Sequence, residues 1–178
     1  QGIAAAVWPL DPPHFDMFLD DIKSKLDHGN PMTVRLLLLD QISDPRNFGA
    51  IMRSARAFGV TGIITTFRNT ASENGVLARA ASGALDHVPL IRVVNLARAI
   101  EQIRYHGFFV AGLAGDGNAD VSSLGRHKHL AIILGAEGSG LRRLSRRHCD
   151  VLVRINIDNN SESLNVSNAA AVALYAAS

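Results

Sequence analysis

The run Val34-Arg-Leu-Leu-Leu-Leu-Asp40 is apolar without alternation and is closed by an acid. A strand with one wet face alternates apolar and polar side chains. A continuous run of this length instead fits a strand covered on both faces, as in a parallel sheet. Gly62-Ile-Ile-Thr-Thr66, Gly107 to Ala111, Leu130 to Leu134 and Val151 to Ile155 are further strand-like segments. Val88 to Val93 is another, and Pro89 pushes it toward an edge or a loop-like start. Helical patterns fall between them. Phe15 to Leu26 carries apolar residues at 15, 18, 19, 22 and 26; Asn47 to Phe58, Glu73 to Ala81, Asn95 to His106 and Leu164 to Ala177 follow. Strand–helix alternation predicts an α/β fold, a mostly parallel sheet with helices on both faces.

The chain has 178 residues, enough for one domain with a substantial core. It has no apolar run near the roughly 20 residues of a membrane span. One cysteine, Cys149, excludes an internal disulfide and suits a reducing, cytoplasmic compartment; no adjacent base activates it, so it reads as a packed thiol. The net charge is only +2, but of the 18 basic residues all are Arg except Lys23, Lys25 and Lys128. Guanidinium groups match phosphates in two-point fashion and stack on bases, so this bias fits a nucleic-acid partner; a GC-rich genome would give it too. The seven histidines do not have metal-ligand spacing, and no metal is expected. Residues 1–30 read as a linker (small residues, then Trp8-Pro-Leu-Asp-Pro-Pro13) and an N-terminal helix, and 31–178 as the domain proper.

Three segments carry chemistry. Asp44-Pro-Arg-Asn-Phe-Gly-Ala-Ile-Met-Arg53 follows the first strand and opens a helix, with Asn47 able to cap or hydrogen-bond, Gly49 permitting close approach of a partner, and Arg53 six residues beyond Asn47 on roughly the same side. Taken alone it also reads as an ordinary capped helix with a solvated Arg. Leu134-Gly-Ala-Glu-Gly-Ser-Gly-Leu141 sets three glycines around Glu137 straight after a strand. It is neither the dinucleotide fingerprint nor a P-loop. Arg142, Arg143, Arg146 and Arg147 follow it, as a solvated face or as phosphate contacts. Ser163-Leu-Asn-Val-Ser167 precedes an alanine-rich helix, with Ser163 or a neighbour as its cap.

In this order and spacing, the three segments resemble the signature motifs of the SpoU (TrmH-type) branch of the SPOUT RNA methyltransferases, most closely its 23S rRNA guanosine-2′-O-methyltransferase group. The resemblance spans about Val34 to Ser178. It implies a deep C-terminal trefoil knot, a homodimer whose partner completes the RNA site, S-adenosylmethionine as cofactor, and rRNA as partner. An N-terminal RNA-binding domain, absent from this sequence, is expected as well. Carried over by position, Arg53 acts on the ribose 2′-hydroxyl and Asn47, Glu137, Ser163 and Asn165 are active-site polar residues. Gly135, Ile155 and Leu164 contact the cofactor, with Ala111, Gly112 and Leu113 adding backbone contacts. Arg46, Arg142 and Arg143 are assigned to RNA.

The chain departs from the family pattern at Ile155-Asn-Ile157 and Asn159, where Ile-Pro-Met and a nearby Gly are usual. Asn tolerates left-handed backbone better than most residues. An Arg base is chemically awkward because its pKa lies above about 12. Two roles therefore stay open for Arg53: a proton acceptor helped by substrate phosphate, or a cation stabilising the alkoxide. Three other readings also stand at this level: tRNA as substrate, a homologue that binds RNA without catalysis, and a nucleotide-binding α/β enzyme.

Overall fold

The structure is a computed structural model that describes residues 12–27, 32–158 and 163–178. Among these residues seven strands form one sheet: β1 (Val34–Leu39), β2 (Gly62–Thr66), β3 (Leu90–Val93), β4 (Phe109–Leu113), β5 (Ala119–Asp120), β6 (His129–Leu134) and β7 (Val151–Arg154). Their spatial order is β3-β2-β1-β6-β4-β7-β5, and every neighbouring pair is parallel. The two last strands in sequence are thus inserted between earlier ones, β6 between β1 and β4, β7 between β4 and β5. β3 lies at an edge, where Pro89 costs no ladder hydrogen bond.

The helices are α1 (Phe15–Asp27), α2 (Pro45–Ala57), α3 (Gly75–Ala81), α4 (Leu96–Tyr105), α5 (Arg143–Arg147) and α6 (Val166–Ala176). β1 shows why its sequence needs no polar face. Leu37 and Leu39 join a core with α2, α3 and α6, whereas Leu36 and Leu38 join a second core with α1 and α4. The four leucines are almost wholly buried. α1 belongs to this body, because Phe15, Leu19 and Ile22 are buried in the second core. No helix among the described residues is long and apolar enough to cross a membrane.

Some boundaries differ from expectation. α2 starts two residues before Asn47, because Asp44 is its N-cap, accepting from Arg46 N at 2.7 Å, and Pro45 takes the first turn. α6 is capped by Asn165, which accepts from Ser167 N at 2.9 Å, and not by Ser163. β4 begins at Phe109, since Gly107 takes a φ of 82° in the turn after α4. Gly49 accommodates no ligand: a Cβ there would lie 2.6 Å from both Ala80 Cβ and Leu77 O, so the close partner is α3. Trp8 and the proline cluster, and Asn159, fall outside the described residues.

Candidate active site

In a parallel sheet all strand ends of one sense share an edge, and ligands gather at the carboxyl edge. The three sequence segments meet there. Asn47, in the first turn of α2, donates through Nδ2 to Glu137 Oε1 at 2.9 Å. Asn165, at the cap of α6, donates through Nδ2 to the same Oε1 at 2.9 Å and to Asn47 Oδ1 at 3.0 Å. Its own Oδ1 accepts from Ser167 N at 2.9 Å and Ser167 Oγ at 2.6 Å, which fixes the amide. The result is a closed ring of two amides and one carboxylate, contributed by residues 47, 137 and 165. Hydrogen bonds to a charged acceptor are the stronger kind, so Glu137 ties the three loops together.

Glu137 and Asn165 also line a cavity of about 610 Å³, with Leu113, Gly135, Ile155, Ser163 and Leu164 among its other walls. The volume lies within the range typical of small-molecule sites. The glycine loop shapes one side. Ala136 and Gly140 form an antiparallel bridge, and a Cβ at Gly135 would fall 2.2 Å from Gly140 C. Gly138 and Gly140 have φ of 77° and 64°, which side chains rarely adopt.

Four of the six expected cofactor residues, Leu113, Gly135, Ile155 and Leu164, are on this wall, and so is Ser163. Ala111 and Gly112 are not; they are buried within β4, and Gly112 is small to make room for Cys149, Leu141 and Leu152. Because β4 ends at Leu113, the wall continues instead through Ala114 and Gly115. Arg53 is exposed and is not part of the wall. Six residues at 100° each turn it about 120° around α2 from Asn47, so the two do not share a face as expected.

The arginines divide by partner. Arg142 is anchored to a carboxylate: its Nε donates at 2.6 Å, and its backbone N at 3.3 Å, to the fully buried Asp40. Ser145 Oγ donates to Asp40 as well, at 2.5 Å. This group pins the end of β1 to the start of α5. Sequence reading saw Asp40 only as the end of a strand. Arg146 makes a two-point pair with Asp116, at 3.0 and 2.8 Å, and holds that carboxyl below its ordinary range. Arg46, Arg143 and Arg147 are exposed. Asn156, standing where the family has Pro, donates to Asp120 and accepts from Arg154 Nε at 3.2 Å, so side-chain ties brace that stretch. A hydrogen bond from Ser122 is the main reason Asp120 titrates low.

Cys149 lies against Ser145 O at 3.2 Å, and burial pushes its thiol up to about 11, as befits a packed thiol. Among the described residues no three His, Cys, Asp or Glu side chains group as metal ligands would.

Comparison with known proteins points to one family. Residues 35–175 match the SpoU rRNA Methylase family. A Staphylococcus haemolyticus protein assigned to the TrmH family of tRNA/rRNA methyltransferases is 38% identical over 175 residues, 98% of this chain and 68% of its own length. The 23S rRNA (guanosine-2′-O-)-methyltransferase RlmB of Xylella fastidiosa is 42% identical over 157 residues, 88% of this chain and 63% of its own. Among solved structures, the SpoU methyltransferase AviRb of Streptomyces viridochromogenes, in complex with AdoMet, superposes with a TM-score of 0.75 at 28% identity, covering 82% of this chain and 57% of AviRb. The chain therefore spans about two thirds or less of these relatives. Fold and site together define an RNA methyltransferase domain. The chain belongs to the SpoU rRNA methylase family.

Proposed function

We propose that this chain carries out S-adenosylmethionine-dependent methylation of a ribose 2′-hydroxyl in RNA, with 23S rRNA as the substrate. The observation that carries the reading is the Asn47–Glu137–Asn165 ring standing at a ligand-sized cavity. The Xylella relative bears a 23S rRNA guanosine-2′-O-methyltransferase name, and an AviRb structure has AdoMet bound.

The cavity suits the cofactor. Leu113, Ile155 and Leu164 offer apolar surface for an adenosyl group, and Gly135 and Gly140 expose backbone for its polar edges. When bound, S-adenosylmethionine supplies an electrophilic sulfonium methyl. The residues of the chain then place the ribose. Asn47 and Asn165 hold the Glu137 carboxylate in one orientation, which leaves Oε2 and the Ser163 hydroxyl to position polar groups of substrate. Arg53 offers a guanidinium, whose chemistry is that of a cation and not of a base. Its role is to stabilise negative charge as it develops on the 2′-oxygen, while the proton passes to substrate phosphate or water.

Because Arg53 stands off the wall of its own cavity, a second copy of the chain completes the site, and the protein acts as a homodimer. Insertion of β6 and β7 between earlier strands supports a trefoil-knotted path around the cavity. Arg46 and Arg143, both exposed, contact RNA phosphate. The cytoplasm, where rRNA is made, is the compartment this reading assigns.

Radiolabelled methyl transfer to rRNA lacking the modification tests the proposal. Arg53→Ala should lower turnover by about 10²-fold or more, as loss of a charge-stabilising donor does, with cofactor affinity by calorimetry unchanged. Unchanged turnover removes Arg53 from the reaction, and a wild-type chain without transfer refutes the reading.

A further inference from the structure

Since all strands are parallel, the residue after each stands at one edge, and in spatial order these are Val94, Phe67, Asp40, Gly135, Ala114, Ile155 and Val121. Gly135, Ala114 and Ile155 belong to the cavity. The other end of the row is of a different kind: Phe67 is 59% exposed and Val94 89%. Thr66 pairs with Val93, and Phe67 N donates to Val93 O at 3.2 Å, so the two apolar residues stand side by side at the ends of neighbouring strands. At the usual strand spacing, Phe67 lies two strands, or about 10 Å, from Gly135 along the edge.

The loop that carries Phe67 is tied down. Thr66 Oγ1 donates to Arg68 O at 2.6 Å, Thr70 Oγ1 donates to Ile42 O at 3.3 Å, and Ala71 N donates to the same carbonyl at 2.9 Å. Ile42 leads directly into the segment of Asp44 and Asn47, so this loop is braced on the first motif. Next to Phe67, Arg68 is exposed, and its guanidinium has no hydrogen-bond or ion-pair partner among the described residues. Two apolar side chains flanked by Arg68 and Asn69 are too small a patch for a stable protein interface, which needs about 800 Å² from each side. An exposed ring with an unpaired guanidinium beside it has the chemistry that takes a nucleobase face and its phosphate.

We infer that Phe67 and Arg68 form a stacking platform for an unpaired base of the RNA, flanking the nucleotide whose ribose enters the site. This rests on the functional reading above. Its consequence is that the chain selects targets in single-stranded or splayed RNA, because a base inside a duplex cannot reach the ring.

The test uses the full chain with a labelled single-stranded oligoribonucleotide of mixed sequence and the same sequence as a duplex. Phe67→Ala should weaken single-strand binding by about tenfold while S-adenosylmethionine affinity stays constant. Phe67→Trp should retain binding. The chain has one other tryptophan, Trp8, so in a Trp8→Phe background the emission at position 67 reports alone. It should be quenched by the single strand and not by the duplex. Unchanged RNA affinity in Phe67→Ala overturns the inference, as does emission indifferent to RNA. A fall in sedimentation mass on Phe67→Ala overturns it as well, because the patch would then join copies of the chain. If the wild-type chain methylates RNA and Phe67→Ala is normal, only this inference fails. If the wild type neither binds nor methylates RNA, the functional reading fails and takes the inference with it.

Discussion

Asn165 performs two tasks with one side chain: its oxygen caps α6 and its amide nitrogen donates to both Asn47 and Glu137. Asn165→Ala removes both, and losing a cap costs about 1 kcal/mol. The expected outcome is a modest fall in the melting midpoint with a much larger loss of methyl transfer; activity falling only in step with stability would contradict the ring. Cys149 gives a pH signature. Burial, followed by the charge of Asp150, raises its thiol to about 11. A thiol whose folded pKa is raised stabilises the fold fully below its unfolded value near 9, and that contribution is lost as pH rises toward 11. Denaturant titrations should therefore show a steeper loss of stability between about pH 9 and 11 in the wild type than in Cys149→Ala. Parallel slopes would contradict the assignment.

At the scale of elements, two glycines separate packing from ligand space. Gly49→Ala would drive a methyl into Ala80 and the Leu77 carbonyl, so α2 and α3 must part, a change that typically costs 1–3 kcal/mol. Gly135→Ala meets the Gly140 backbone instead and deforms the loop over the cavity. The first should lower the urea midpoint more than cofactor affinity, and the second the reverse, as unfolding and calorimetry on the two variants will show. Strand and helix order were legible in the sequence because buried parallel strands read as unbroken apolar runs, and β1, β2 and β6 lie where those runs lie. β5, two residues long, leaves no such run. The displaced start of β4 moved the expected wall back to Ala111 and Gly112, because a glycine in sequence does not say on which side of it a strand begins. Asp40 and Arg142 were missed as a pair because residues 102 apart in the chain carry no joint local signal.

For the whole molecule, the motifs name three loops and give no account of the registry by which they meet. Parallel pairing of β1 with β6, and of β6 with β4, brings residues 40, 135 and 114 to one edge. The ring of Asn47, Glu137 and Asn165 follows from that registry and from the caps of α2 and α6. Arg53 is the exception: its helix is in place, yet its side chain is off the wall, which makes the second copy part of the proposal. A crystal structure of the chain with S-adenosylmethionine is the most direct test. The account predicts an adenosyl group between Leu113, Gly135, Ile155 and Leu164, its methyl directed to the ring, and a neighbouring subunit closing the site. An adenosyl group bound elsewhere on the chain, or a cavity that stays closed to it at saturating concentration, would contradict the account.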